Sequence, residues 1–228
     1  MKKLMILAIT LLSVAVANAQ NYPPARRYGP QPRYVQKQKQ HDPHGDFYKP
    51  KFGIVGGVNI ANLVNVNNTN FTTNTKVGMN IGGSLDIPII FPLAFEGEVL
   101  YSQKGYSALT ASGSFNQRNN FIDVPLLAKI RLAPAFNLVV GPQISFLMST
   151  QNTYQNGFSI SSQTIYDHDA QGYTKTLLGG VVGLGIDLSP NVELRGRYTL
   201  DLQDNDAGNT TYPAYRNQVW QVGLGFKF

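Results

Sequence analysis

The sequence predicts an all-β fold: an eight-stranded antiparallel, up-and-down transmembrane β-barrel behind a disordered N-terminal tail. Three observations carry that expectation. From Lys51 onward, apolar residues recur at every second position in eight segments, the period of a strand with one apolar face. Short connections alternate with long polar ones, the order expected when periplasmic turns are short and external loops long. The faces opposite the apolar ones carry seven acidic and six basic residues, near the neutrality that charges in a narrow interior require.

The first segment reads MKKLMILAITLLSVAVANA, with two lysines, an apolar run and Ala17-Asn18-Ala19 ahead of Gln20. This is the pattern of a secretory signal peptide over residues 1–19. The apolar run is short for a spanning helix, and the chain has no cysteine for a lipid anchor or a disulfide. Residues 20–50 are rich in Pro, Gln, Tyr and Arg without apolar period, as in a disordered segment. They hold most of the net charge of +6, through Arg26, Arg27, Arg33, Lys37, Lys39 and Lys49 against Asp42 and Asp46. From Lys51 on, eleven basic residues face eleven acidic ones. The excess is therefore confined to a tail, which removes the case for nucleic-acid binding. The tail is either a solvated spacer or a contact to an anionic surface such as lipid headgroups or cell-wall polymer.

Residues 51–228 form the expected barrel. In the first strand Phe52, Ile54, Val58 and Ile60 oppose Gly53, Gly57 and Asn59; in the second Val77, Met79, Ile81, Leu85 and Ile87 oppose Asn80, Gly82, Ser84 and Asp86. The third sets Leu93, Phe95, Val99 and Tyr101 against Glu96, Glu98, Ser102 and Lys104. The fourth sets Ile122, Val124, Leu126, Ala128 and Ile130 against Asp123, Leu127, Lys129 and Arg131. Phe136, Leu138, Val140, Ile144, Phe146 and Met148 make the fifth apolar face. The sixth has Leu178, Val182, Leu184, Ile186 and Leu188 against Gly179, Gly183, Gly185 and Asp187. The seventh has Val192, Leu194, Tyr198, Leu200 and Leu202 against Glu193, Arg195, Arg197, Thr199 and Asp201. The closing WQVGLGFKF puts Trp220, Val222, Leu224, Phe226 and Phe228 outward and Gln221, Gly223, Gly225 and Lys227 inward.

A soluble sandwich is the competing architecture, and the connections separate the two. PIIFP, APA and SPN are short, whereas residues 62–76, 105–120, 149–176 and 203–218 read as long polar loops. A sandwich has no reason to alternate. The barrel reading places both termini in the periplasm and the apolar faces in outer-membrane lipid. Asp86, Glu96, Glu98, Lys104, Asp123, Lys129, Arg131, Asp187, Glu193, Arg195, Arg197, Asp201 and Lys227 are then expected to form an interior ion-pair network. Interior glycines make room for it. Trp220, Phe226 and Phe228 match the aromatic end that the barrel-assembly machinery uses.

The segments KFGIVGGVNIANL, FEGEVLYSQKG, FIDVPLLAKIRL, NLVVGPQISFLM and RNQVWQVGLGFKF resemble the PorT-like outer membrane β-barrel family, over essentially Lys51 to Phe228. The resemblance implies an eight-stranded outer-membrane barrel. One branch of that family assists protein secretion and gliding through the type IX system, and most relatives have no assigned activity. The basic tail is not part of the resemblance.

No catalytic site, cofactor or metal centre is expected. Barrel hydrolases activate a Ser or Asp with His, but His41 and His44 fall in the tail and His168 in the longest loop. His41-Asp42-Pro43-His44 and Asp167-His168-Asp169 are loose metal-ligand spacings that polar loops also produce. Asp201, Asp204, Asp206 and Gly208 lack the closing acid of a calcium loop. GGVVGLGID is not followed by a helix, so the dinucleotide reading has no mechanism. Two function classes remain: a non-enzymatic scaffold touching an envelope protein or cell-wall partner through its loops or tail, and a small-solute or ion pore. The charged interior favours the scaffold, since open channels need more strands.

Overall fold

The computed structural model describes residues 49–65, 73–110, 113–156, 159–166, 175–203 and 215–228. The expected signal peptide, nearly all of the tail and its histidines, His168 and the Asp204–Gly208 motif lie outside the described residues. The strands are β1 (Lys51–Asn65), β2 (Thr73–Ile90), β3 (Leu93–Thr110), β4 (Gly113–Ala133), β5 (Phe136–Asn156), β6 (Ser159–Tyr166), β7 (Thr176–Ser189), β8 (Val192–Asp201) and β9 (Tyr215–Lys227). Every pairing is antiparallel, in the order β4-β3-β2-β1-β9-β8-β7-β5, and β4 pairs with β5 to close the ring. Eight strands thus make the barrel. The seam between first and last strand runs from Gly53↔Lys227 to Asn65↔Tyr215. Closure satisfies the backbone groups that a sheet edge would leave bare in lipid.

Alternation is what places the faces. Along β7 the residues from Thr176 to Gly185 switch strictly between outward and buried positions. Ile54, Met79, Val99, Val140, Leu184 and Val222 are exposed on the outside, and the chain ends on outward Phe228. Such a continuous apolar exterior suits lipid and not water. The last residue does not fray: the Phe228 amide donates to the Phe52 carbonyl at 2.7 Å.

Each turn on the side of the termini contains proline: Phe91-Pro92, Pro134-Ala135 and Pro190-Asn191. Proline's fixed φ suits a tight turn and its missing N–H costs no ladder bond there. At the seam, Gly57 and Gly223 face each other, and a Cβ on Gly57 would stand 2.7 Å from the Gly223 Cα. Only glycine allows the two backbones to approach that closely inside the ring.

The structure corrects the extent of the polar loops. Of residues 105–120, read as a loop, 105–110 belong to β3 and 113–120 to β4, which stay paired up to Thr110↔Gly113. Residues 149–156 likewise continue β5 and pair with β6, a ninth strand that the alternation did not reveal. At their near ends β1 and β2 reach Asn65 and Thr73. The apolar alternation stops where the lipid does, but backbone hydrogen bonding continues through Asn, Gln, Ser and Thr. Gly113, with φ of 142°, supplies the conformation that the β3–β4 hairpin end needs.

A closed barrel of this kind resists detergent. The protein is expected to run faster on a gel unboiled than boiled, and coincident bands would contradict the ring.

Candidate functional site

The barrel interior is the most distinctive chemical environment of the described residues. β2, β3, β4, β7, β8 and β9 converge their inward carboxylates and cations into one network. Lys129 reaches Glu96 at 2.6 Å, Glu193 at 3.0 Å and Asp86 at 3.1 Å. Arg195 reaches Glu96 at 2.6 Å, Glu193 at 3.9 Å and also Glu98. Arg197 bonds Glu98 at 2.6 Å and also Glu96. Lys227 completes the set, 2.9 Å from Glu193, 3.4 Å from Asp187 and 3.6 Å from Asp86. Asn137 donates its amide to Asp187 at 3.0 Å.

Period-two spacing explains this convergence. Glu96 and Glu98 share the inner face of β3, while Glu193, Arg195 and Arg197 share that of β8. Residue partners across β7 and β9 leave space: Arg195 is flanked by Gly185 and Gly223, and Arg197 by Gly183. Charges this buried need partners with hydrogen bonds to offset lost hydration. Bidentate guanidinium–carboxylate contacts supply them.

Lys104 and Asp123 form a separate buried pair at 2.9 Å, with Lys104 also donating to Ser145 and lying 4.8 Å above the Phe121 ring. Asp201 accepts from Asn217 at 2.6 Å and stands apart from the main network. Arg131 sits at the rim on the turn side, lining a cavity with Lys51 and Asp86.

Two further groups fill the interior. Leu127, Val139 and Val181 pack together beside Lys129, whose partner on β5 is Val139, and Phe121, Leu147 and Leu177 pack with Ile165 of β6. Leu127 falls on the inward face by alternation alone. Leu147 and Leu177 fall inward by the same alternation, in line with Ser145 on β5 and Gly179 on β7, and a bulge in β5 at Met148 shifts its register against β4 only beyond them. Among the remaining spaces, one beside Glu98, Arg195 and Arg197 measures about 20 Å³ and one beside Asp86 and Lys129 about 30 Å³. Each has room for about one or two waters.

A model of the family described as "Outer membrane protein beta-barrel domain" matches residues 36–207. The chain belongs to that family. Its barrel is accordingly an outer-membrane barrel, and the exposed apolar band is its lipid-facing surface. The match begins within the segment read as tail and stops short of β9. No curated protein matches the chain. Among solved structures it is similar to the attachment invasion locus protein Ail of Yersinia pestis, with 13% identity, a TM-score of 0.48, and coverage of 79% of this chain and 99% of that one. Neisserial surface protein A shows 19% identity, a TM-score of 0.48, and coverage of 78% and 97%. OprG of Pseudomonas aeruginosa shows 13% identity, a TM-score of 0.38, and coverage of 78% and 95%.

Proposed function

We propose that this protein is a non-enzymatic, non-conducting scaffold of the outer membrane, with both termini periplasmic. Its barrel holds two polar hairpins, β3–β4 and β5–β6, beyond the far edge of the lipid band. These hairpins and the basic tail meet an envelope protein or cell-wall polymer. Its segments resemble the PorT-like family, one branch of which assists secretion, and an accessory role in secretion or envelope integrity fits that resemblance. Trp220, 56% exposed on the outside of β9 with Phe226, and Phe228, 75% exposed just beyond it, suit recognition by the assembly machinery.

One observation carries the reading. Where a solute would pass, Lys129, Arg195, Arg197 and Lys227 are tied to five carboxylates, and apolar clusters of the inner wall fill space beside and above them. Opening the lumen would strip several buried charges of partners at once, which is costly. Planar-bilayer recordings of the full chain test this. Silent bilayers are expected; steady open conductance would replace the scaffold with a pore.

A further inference from the structure

At the rim of the lipid band opposite the termini, two cations meet on the outside of the barrel. On β4 the outward residues run Ile130, Ala128, Leu126, Val124 and Ile122, then change to Asn120 and Arg118. On β2 the exposed apolar run of Ile81, Met79 and Val77 ends at Lys76. On β3, Val99 and Tyr101 give way to Gln103. The change falls at one level on three neighbouring strands. A row of hydrogen bonds marks it: the Gln103 amide donates to the Tyr101 hydroxyl at 3.3 Å, and that hydroxyl donates to the Asn120 carbonyl oxygen at 3.0 Å. Aromatic hydroxyls and amides at the end of an apolar band mark the headgroup zone.

Lys76 and Arg118 sit directly above this row. Arg118 pairs with Gly105 of β3, which puts no side chain between the two cations. Lys76 lies where the β2–β3 register shifts between Thr75 and Asn80, a bulge that re-aims side chains. Both cations line one cleft together with Gln103, Gly105 and the buried Lys104, whose charge is paired with Asp123. They are close enough for Arg118 to act electrostatically on Lys76. Among the described residues, no acidic side chain lines the cleft.

We infer that Lys76 and Arg118 clamp the phosphate of a lipid headgroup in the leaflet at this end of the barrel. A guanidinium fork beside a lysine ammonium offers several charge-assisted donors to one phosphate. An anion between them removes their mutual repulsion. The position selects a lipid over free phosphate, because acyl chains descending from the clamp lie on Val77, Met79 and Ile81. In the orientation proposed above, this is the outer leaflet. The inference rests on that orientation and not on whether the lumen conducts.

The full chain in dodecyl maltoside is titrated with bisphosphorylated lipid A, and retained lipid is read by native mass spectrometry. Lys76→Gln/Arg118→Gln is expected to weaken retention by about tenfold, and Arg118→Lys to preserve most of it. Removing the phosphates from the lipid should weaken retention by the wild-type chain to a similar extent, an arm that decides the matter even if the double variant fails to fold. Equal retention of phosphorylated and dephosphorylated lipid overturns the clamp. So does displacement of the lipid by sodium phosphate at matching concentration, which would make the site one for free phosphate.

Discussion

Arg195→Met is expected to destabilise the folded barrel by about 3–5 kcal/mol, the cost of stranding buried charges by removing one partner. Arg195 is the residue on which the interior network turns. Its guanidinium touches Glu96, Glu98 and Glu193, and its side chain is only 9% exposed. Methionine fills similar volume, so the loss is electrostatic and not a cavity. Five carboxylates would then face three cations in the same buried space. Adding Glu98→Gln removes one of the stranded charges, and the double variant is expected to be more stable than Arg195→Met alone. Equilibrium unfolding from lipid vesicles measures both. Trp220 serves as the probe, being the sole tryptophan of the chain and exposed on the lipid side. A single variant within about 1 kcal/mol of wild type would mean that the pairs carry little net energy, as a hydrophobic replacement of a buried pair can show.

Much of the barrel was legible because lipid imposes a strict period. A strand with one face in hydrocarbon must alternate, and β7, from Leu178 to Leu188 outward and Leu177 to Asp187 inward, does so without a break. The short turns were legible from Pro92, Pro134 and Pro190. Beyond the lipid the constraint vanishes. β6, SISSQTIY, has a strand's β-branched residues but no apolar face, so nothing in its pattern separates a paired strand from a loop. The inward facing of the charges was legible, but not which of them join: Lys104 and Asp123 pair apart from the main network, and Asp201 and Arg131 stand outside it. Which carboxylates meet Lys129 depends on how far the strands stagger around the ring, and Glu193 lies 64 residues away. The same holds for Lys76 and Arg118, which become neighbours only through the registry of β2, β3 and β4. Asp201 illustrates the limit: alternation turns it inward, but register gives it Asn217 for a partner.

Leu184→Arg is expected to cost about 2–4 kcal/mol, the range for a cation at the bilayer midplane on a barrel's lipid face. Leu184 is 57% exposed and lies midway along the outward run from Leu178 to Leu188. Its cross-strand partners are Leu138 on β5 and Gly196 on β8, so no acid stands beside it on either neighbour. The guanidinium could reach water only by stretching along the barrel past Ile186 or Val182. Leu188→Arg provides the internal control, since it lies beside the Pro190 turn and its charge meets the interface, where the cost falls to about 0–1 kcal/mol. The inward neighbour behaves differently. A Cβ on Gly183 would stand 2.6 Å from the Arg197 Cγ and 2.7 Å from the Gly196 carbonyl oxygen, so any side chain there crowds the interior whatever its charge. Three unfolding curves in vesicles therefore separate lipid from lumen. Gly183→Ala should disturb the barrel without a charge, while Leu184→Ala should be mild and Leu184→Arg severe. Equal costs for arginine at 184 and 188 would mean that this face of β7 does not cross the bilayer at the depth its alternation gives it.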